Sequence, residues 1–275
     1  MKVKTKKTNG AWLGLIFGLL TFAFCIWGVN YALADGDRIL KLLIEIPIYL
    51  FLGIFVLLLI GAFNTYYIID DTGIKIKWGF HTVNIAWESV QGVVDVQGAS
   101  NLFSIFGVSW PGYIVGLYSA KGLGTVKMYG TNTAEGFVYL KTDKGYFGLT
   151  PEDANLHQLI AEKSGTEAEK TDMNKIPEEV KGKSLMEDSF YKLLFILNII
   201  FILAFALYLA IFFPGSGAPR FIILLLVLAV GLFFFNISNA ARLFQFSDSG
   251  GYILLTLGIA VTGTFFILSL SEISL

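Results

Sequence analysis

Five long apolar stretches decide what this chain can become. Residues 11–34 contain no charged side chain, and at ~1.5 Å per residue a helix of that length crosses a hydrocarbon core ~30 Å thick. A second run covers residues 39–63, uncharged from 46 to 63, and three more cover residues 193–213, 221–240 and 251–270. Backbone in lipid has no water to bond to, so such runs must satisfy their own N–H and C=O groups as helices. Only 15% of the residues are charged, against ~25% in soluble domains. The expectation is an α-helical membrane protein with about five transmembrane helices: two in a block at residues 1–63 and three in a block at residues 190–275.

Charge sets the expected orientation. Lys2, Lys4, Lys6 and Lys7 precede the first span with no acid among residues 1–9, which holds the N-terminus in the cytoplasm of a cell-membrane protein. Two spans bring the chain back, so the segment between the blocks is expected to be cytoplasmic and the C-terminus outside. A second reading of residues 1–34 is a secretory signal, with Ala32-Leu33-Ala34 as the cleavage site before Asp35. Signal cores span only about 7–15 residues, which favours a retained helix. Gly14 and Gly18 form a GxxxG spacing that lets another element approach closely.

Polar residues inside the spans are candidate functional contacts. Glu45 stands four residues after Lys41 on one helix face, placed to pair with it. Asn198 lies in the third span, and Asn236 and Asn239 late in the fourth. They are suited either to interhelical hydrogen bonds or to lining a polar cavity.

Residues 64–163 form the only long part suited to fold in water. Residues 65–69, 74–78, 82–87, 93–96, 113–118, 125–129, 137–140 and 146–149 are rich in aromatic and β-branched side chains, and IKIKW at 74–78 alternates with the period of a half-buried strand. Asp70-Asp71-Thr72-Gly73 reads as a hairpin turn, and glycine- and serine-rich residues 98–112 as a long loop. Lys121-Gly122-Leu123-Gly124 reads as a further turn. Thr150 and Pro151 then suit the cap and first position of an amphipathic helix running to Lys163. The module is expected to hold seven or eight antiparallel strands closed by this helix. Residues 164–189, rich in Glu and Lys, read as a charged linker.

Reaction chemistry is not expected. His81 and His157 are the only histidines and neither has metal-ligand spacing, so both read as surface residues. Cys25 is the only cysteine, which excludes an intrachain disulfide. No phosphate-binding loop, nucleophile elbow or catalytic triad is present. No catalytic residue, cofactor or metal is therefore predicted. A net charge of −1 argues against nucleic acid as a partner. The candidates for ligand or partner contact are Trp110, Tyr113 and Tyr118, aromatics beside a glycine-rich segment.

Four blocks carry a family resemblance: NIAWESVQGVVDV at residues 84–96, WPGYIVGLY at 110–118, VKMYGT at 126–131 and VYLKTDKGYFGLTPEDANLHQLI at 138–160. In these the sequence resembles the membrane-tethered bacterial pleckstrin-homology domains over about 100 residues. The resemblance implies an α+β module of two packed antiparallel sheets with a C-terminal helix. It also implies a non-enzymatic role, binding a protein or peptide partner or assembling a membrane complex or homo-oligomer, in envelope stress or in immunity to bacteriocin-like peptides. One departure matters. Phosphoinositide-binding members of the wider superfamily gather Lys and Arg at the first hairpin, as phosphate requires. Here that hairpin carries Asp70 and Asp71, and residues 64–188 hold 11 Lys against 16 Asp plus Glu, a formal charge of −5. A phosphoinositide is disfavoured. A different class of function, a small transporter or transporter accessory subunit, would use the polar residues of the last three spans.

Overall fold

A computed structural model describes the chain except residues 35, 37, 99–101, 121–122, 178–179, 181–184, 216, 246 and 272–275. Asp35 of the possible cleavage site, and Lys121 and Gly122 of the expected turn, thus lie outside the described residues. Two compact units are present, residues 1–18 with 53–183 and residues 19–52 with 184–275.

Helices α1 (Gly10–Ala32) and α2 (Arg38–Phe63) contribute to both units. The first unit is otherwise built on strands β1 (Lys2–Lys4), β2 (Tyr66–Ile69), β3 (Gly73–Trp78), β4 (His81–Ala86), β5 (Val90–Gln97), β6 (Leu102–Trp110), β7 (Tyr113–Ala120), β8 (Gly124–Gly130), β9 (Gly136–Thr142), β10 (Gly145–Leu149) and β11 (Ala168–Asp172), with helix α3 (Leu156–Ser164) before β11. One sheet has the order β1-β2-β3-β4, the other β11-β5-β9-β10-β8-β7-β6.

The central strands β5 and β9 of the second sheet contribute to cores on both faces, so they read as near-continuous apolar runs rather than alternating ones. Val93, Val138 and Leu140 point into a core shared with Tyr67, Ile74, Ile76 and Ile85 of the first sheet and with Leu156 and Ile160 of α3. Val94, Val96, Phe137 and Tyr139 belong to a second core with Ile114, Tyr118, Val126, Met128 and Met173. Each successive residue changes face, as the pleat requires. Tyr67 ties the first core together: its hydroxyl donates to Tyr129 O (2.6 Å) and accepts from Thr150 N (3.0 Å).

Eleven strands are present among the described residues, not seven or eight, and two neighbouring pairs are parallel, β8 with β10 and β11 with β5. The three additional strands each correct an expectation. Residues 98–112 are not a long loop, because Leu102–Trp110 pairs with β7. Its glycine is a packing device: Gly107 and Gly116 face each other across the pair so closely that a side chain on either would strike the opposing backbone. The charged linker supplies β11 and places Met173 in the second core. The third is β1, at residues expected only as a basic flank.

Two smaller expectations also change. Thr150 does not cap α3, which starts at Leu156; its hydroxyl accepts from Thr131 N (2.8 Å) instead. His157 is buried rather than solvated, with Nδ1 2.9 Å from Ala154 O, whereas His81 is exposed.

The second unit holds α4 (Ser189–Phe212), α5 (Arg220–Phe244) and α6 (Asp248–Ser271) with the remaining parts of α1 and α2. Phe205, Tyr208, Ile222, Leu225 and Ala229 form its main apolar cluster, and Cys25, Val29 and Leu33 pack with Val227. Five helices, α1, α2, α4, α5 and α6, are long and apolar enough to cross a membrane.

Replacing Tyr67 with Phe removes the hydroxyl and leaves the buried Thr150 N–H without its acceptor. Such a loss costs ~1–3 kcal/mol, so Tyr67→Phe should lower the melting temperature of the detergent-solubilised protein, and an unchanged melting temperature would show the bond to be dispensable.

Candidate functional site

The first unit gathers its distinctive geometry where the strands meet the ends of α1 and α2. Residues 2–8 run along the β module and bond to it repeatedly. Lys2, Val3 and Lys4 pair antiparallel with Ile68, Tyr67 and Tyr66. Glu152 N donates to Lys4 O and Lys6 N to Thr150 O, both at 2.8 Å. The Thr131 hydroxyl donates to Lys6 O at 2.9 Å, and the Thr8 hydroxyl to Gly112 O at 2.7 Å. Val3 inserts into the first core, 4% exposed. The lysines alternate outward: Lys2 lies over the Tyr66 ring, and Lys6 and Lys7 lie 3.6 and 3.2 Å from Glu135 and Glu152. A chain cut after Ala34 would lack this strand.

Helix α1 starts where this ribbon ends. Gly10 presses on Gly112, whose φ of +84° suits only glycine without strain. Trp110 Nε1 donates to Gly10 O (2.7 Å), and its ring covers Gly14, where a Cβ would come within 2.9 Å. Gly18 faces Phe55 of α2. Of the two glycines of the GxxxG spacing, one therefore admits an indole from a hairpin and the other a ring from a helix. Further aromatics complete the junction: Phe55 beside Trp110 (6.1 Å between centroids), Trp12 against Phe63 (5.3 Å), and Trp110 on Tyr113 (4.5 Å). Trp78 covers Gly61 near the end of α2 and donates through Nε1 to Tyr113 Oη at 2.6 Å. The turn after it packs Gly79 on Gly61 and Ile60 and leaves Phe80 82% exposed.

Beside this junction lies a cavity of about 200 Å³ lined by Ser109, Trp110, Gly112, Tyr113, Thr131 and Asn132, among others. It offers hydroxyl, amide and backbone groups with an aromatic wall. Cavities for drug-sized ligands span ~300–1,000 Å³, so this one suits a single side chain or a chain end. No group of three or more His, Cys, Asp or Glu that could hold a metal occurs among the described residues.

Of the expected contact residues, Trp110 is half-buried and forms the cavity wall, and Tyr113 reaches it while being 2% exposed. Tyr118 lies in the second core away from the cavity lining. In the second unit, Glu45 lies 3.7 Å from Lys41. Asn198 and Asn236 are both buried, whereas Asn239 donates to Phe235 O of its own helix (2.8 Å). The sequence reading did not single out Thr8, Gly10, Trp78 or Thr131.

The first hairpin lies at the far end. Gly73 is separated from Trp78 by the length of β3, about 17 Å at ~3.3–3.4 Å per residue, and Trp78 is the end that meets α2. The Asp70 carboxylate accepts from Thr72 N, the Thr72 hydroxyl and Gly73 N, and lies 2.7 Å from Lys75 Nζ. Those bonds, led by the one from Lys75, hold its pKa far below the usual carboxylate range.

Residues 65–160 match the family model described as bacterial PH domain. The match covers the strands and helix on which the resemblance rests. No curated protein matches the chain, and no solved structure does.

Two predictions follow from the junction. Gly112→Ala forces a Cβ onto a left-handed residue against Gly10, a strain of ~1–3 kcal/mol, and should lower the melting temperature, while alanine at exposed Gly124, with open space around it, tests how much is backbone strain alone. The second concerns alkali. Burial pushes the Tyr113 phenol well above its ordinary range, although the bond from Trp78 opposes the shift, and burial raises Tyr139 to about 12. A raised folded pKa favours the fold while the unfolded phenol, near ~10, stays protonated, and that advantage is lost as pH climbs through the folded values. Stability should therefore hold to about pH 10 and fall above it, with a shallower fall in Tyr113→Phe; denaturant midpoints between pH 8 and 12 would measure both.

Proposed function

We propose that this is a non-enzymatic integral membrane protein whose PH-like module binds a protein or peptide partner at the membrane surface. The observation that carries the reading is the cavity at Trp110, Tyr113 and Thr131, built into the walls that hold the first turn of α1. Its size and polar lining suit one anchoring residue of a peptide. Occupancy of the cavity would press on groups bonded to Thr8 and Gly10, so binding and the set of α1 are mechanically joined. The side chains around it provide hydrogen bonds but no nucleophile paired with a base.

The same bonds support an orientation. Because β1 pairs with β2, the N-terminal residues and the module lie on one side of the membrane, and the four lysines of residues 2–7 favour the cytoplasm. Retention of residues 1–34 accords with the burial of Val3. Alternation then carries the C-terminus outside. Phosphoinositide headgroups suit the module poorly: the first hairpin is acidic, its Asp70 is fully bonded, and it lies at the end of β3 away from α2. The resemblance to tethered bacterial PH modules favours envelope stress or immunity to membrane-active peptides as the setting. A transporter or accessory subunit is the second reading, favoured by the burial of Asn198 and Asn236 in the second unit.

Photoreactive amino acids at Ser109 and Asn132, on the cavity rim, should capture a discrete partner in cells, and one at Lys144, in the turn before β10, should not. Thr131→Tyr, which fills the cavity, should abolish the capture with the protein still abundant and folded. Equal capture from all three positions, or none from any, would sink the partner-binding reading. Transport that is lost in Asn198→Ala while the crosslinks persist would favour the second reading.

A further inference from the structure

The turn between β3 and β4 leaves a large apolar side chain with no core to enter. Phe80 is 82% exposed, the most exposed large hydrophobic side chain among the described residues. A single such residue needs no explanation on a surface that faces water, but this one has a fixed place. Gly79, left-handed with φ of +55°, seats the turn on the last turn of α2: a Cβ built on it would stand 3.4 Å from Gly61 N and 3.6 Å from Ile60 Cγ2. Consecutive Cα atoms are ~3.8 Å apart, so the backbone of Phe80 is level with the end of α2. Residues 46–63 of that helix carry no charge, and Leu57 and Phe63 are exposed on it. Trp12 of α1 stands beside them, 61% exposed and in edge contact with Phe63. Aromatic side chains gather at this depth, where acyl chains give way to headgroups.

The charges around the corner have the sign that an anionic membrane surface attracts. Lys4, Tyr66, Lys77 and Thr82 are successive partners across β1, β2, β3 and β4. They share one face of the sheet, opposite the face from which Tyr67 and Ile76 enter the core. Their row is one residue, ~3.3–3.4 Å, from the row of Trp78 and His81 that ends at the turn. Lys6 and Lys7 are met by Glu135 and Glu152, whereas neither Lys4 nor Lys77 forms an ion pair among the described residues. The acids of the neighbouring hairpin, Asp70 and Asp71, lie at the other end of β3. The end of the first sheet that meets α2 is therefore apolar at its tip and basic just behind it.

We propose that the β3–β4 corner is a lipid-binding surface. Phe80 enters the boundary between acyl chains and headgroups of the membrane that α2 crosses, and Lys4 and Lys77 lie over anionic headgroups beside it. An apolar ring gains by leaving water at that boundary, and lysines near an anionic surface add attraction. A lysine's alkyl stem rests on the sheet while its ammonium reaches outward. Lipid is favoured over a protein as the occupant because the surface continues that of α2, whose exposed apolar residues belong to a span. The contact rests on α2 crossing the membrane and does not require the cavity at Ser109 and Thr131 to be filled. The two surfaces are joined all the same, since Trp78 behind the corner donates to Tyr113 on the cavity wall.

Nitroxide labels on Phe80→Cys, Leu57→Cys and Asp71→Cys would test the contact, each in the full chain with its one cysteine replaced, Cys25→Ser. The proteins are reconstituted in vesicles of phosphatidylcholine and phosphatidylglycerol. Collisions with oxygen, which concentrates in lipid, are compared with collisions with a nickel chelate, which stays in water. The oxygen-to-nickel ratio at position 80 should approach that at position 57 and exceed that at position 71 several-fold. A ratio at 80 equal to that at 71 overturns the contact, and so does low collision with both reagents, the sign of protein cover. A nickel-favoured label at position 57 overturns the span and the contact with it. The lysines have their own readout. Phosphatidylglycerol should raise the melting temperature of the detergent-solubilised protein more than phosphatidylcholine does, and the double variant Lys4→Gln, Lys77→Gln should lose most of that difference. An undiminished difference in the double variant, or none in the parent, overturns the headgroup contact.

Discussion

The backbone pairing of residues 2–4 with residues 66–68 is the constraint on which the rest of the first unit depends. An isolated three-residue strand has almost no stability of its own. Here it is held because Val3 enters the core and because the following residues keep bonding, at Thr150, Thr131 and Gly112 in turn. The pairing closes a long loop of chain that contains both N-terminal helices. Closing that loop has an entropic cost that grows only slowly with its length, and the two apolar helices are driven together with lipid rather than with water. What the pairing adds is register: after the five residues that follow the strand along the module, α1 begins at Gly10, against Gly112.

From that fixed start the aromatic junction follows. Trp110 bonds to Gly10 and covers Gly14, Trp78 covers Gly61, and both indoles reach Tyr113, one by a tilted ring contact and one by a hydrogen bond. Indoles with an apolar face and one donor are suited to the boundary between lipid and water, where the ring is desolvated and the N–H still requires a partner. The same contacts set which end of the β module faces the helices. They turn the β3–β4 corner, with exposed Phe80, toward the end of α2, and leave the acidic Asp70 hairpin at the other end of β3. The charge pattern of the hairpin and its position thus agree, since carboxylates belong away from an anionic lipid surface.

Much of this was legible from the residues. The five apolar runs map onto α1, α2, α4, α5 and α6 to within a few residues, because length and absence of charge suffice in lipid. The eight expected strands are all present, and the bacterial PH family match covers residues 65–160. Three strands escaped for different physical reasons. Lys-Val-Lys-Thr-Lys at residues 2–6 does alternate with period two, but basic flanks of a first span give the same composition, so the pattern had two sufficient causes. Gly107 reads as a loop residue, whereas it is where its backbone touches that of Gly116 on the neighbouring strand, a contact that depends on the partner. The β11 segment AEKTD is exposed and polar, and it is a strand only because β5 offers it parallel bonds. The cavity was legible only in its aromatic wall. Ser109 and Thr131 come from segments 22 residues apart, and no local pattern marks them as lining one cavity.

Two asparagines also show how differently water and a helix bundle treat the same residue type. Asn132 on the β module is partly exposed at the cavity, and its Oδ1 accepts from Ala134 N at 3.0 Å. Asn236 has no such outlet: it is 2% exposed, and its Nδ2 has no acceptor among the described residues. In water an unpaired amide is solvated at little cost. Within a bundle the unpaired group must be met by a protein acceptor, by water or by a moving solute, and those choices differ in what they allow the helices to do.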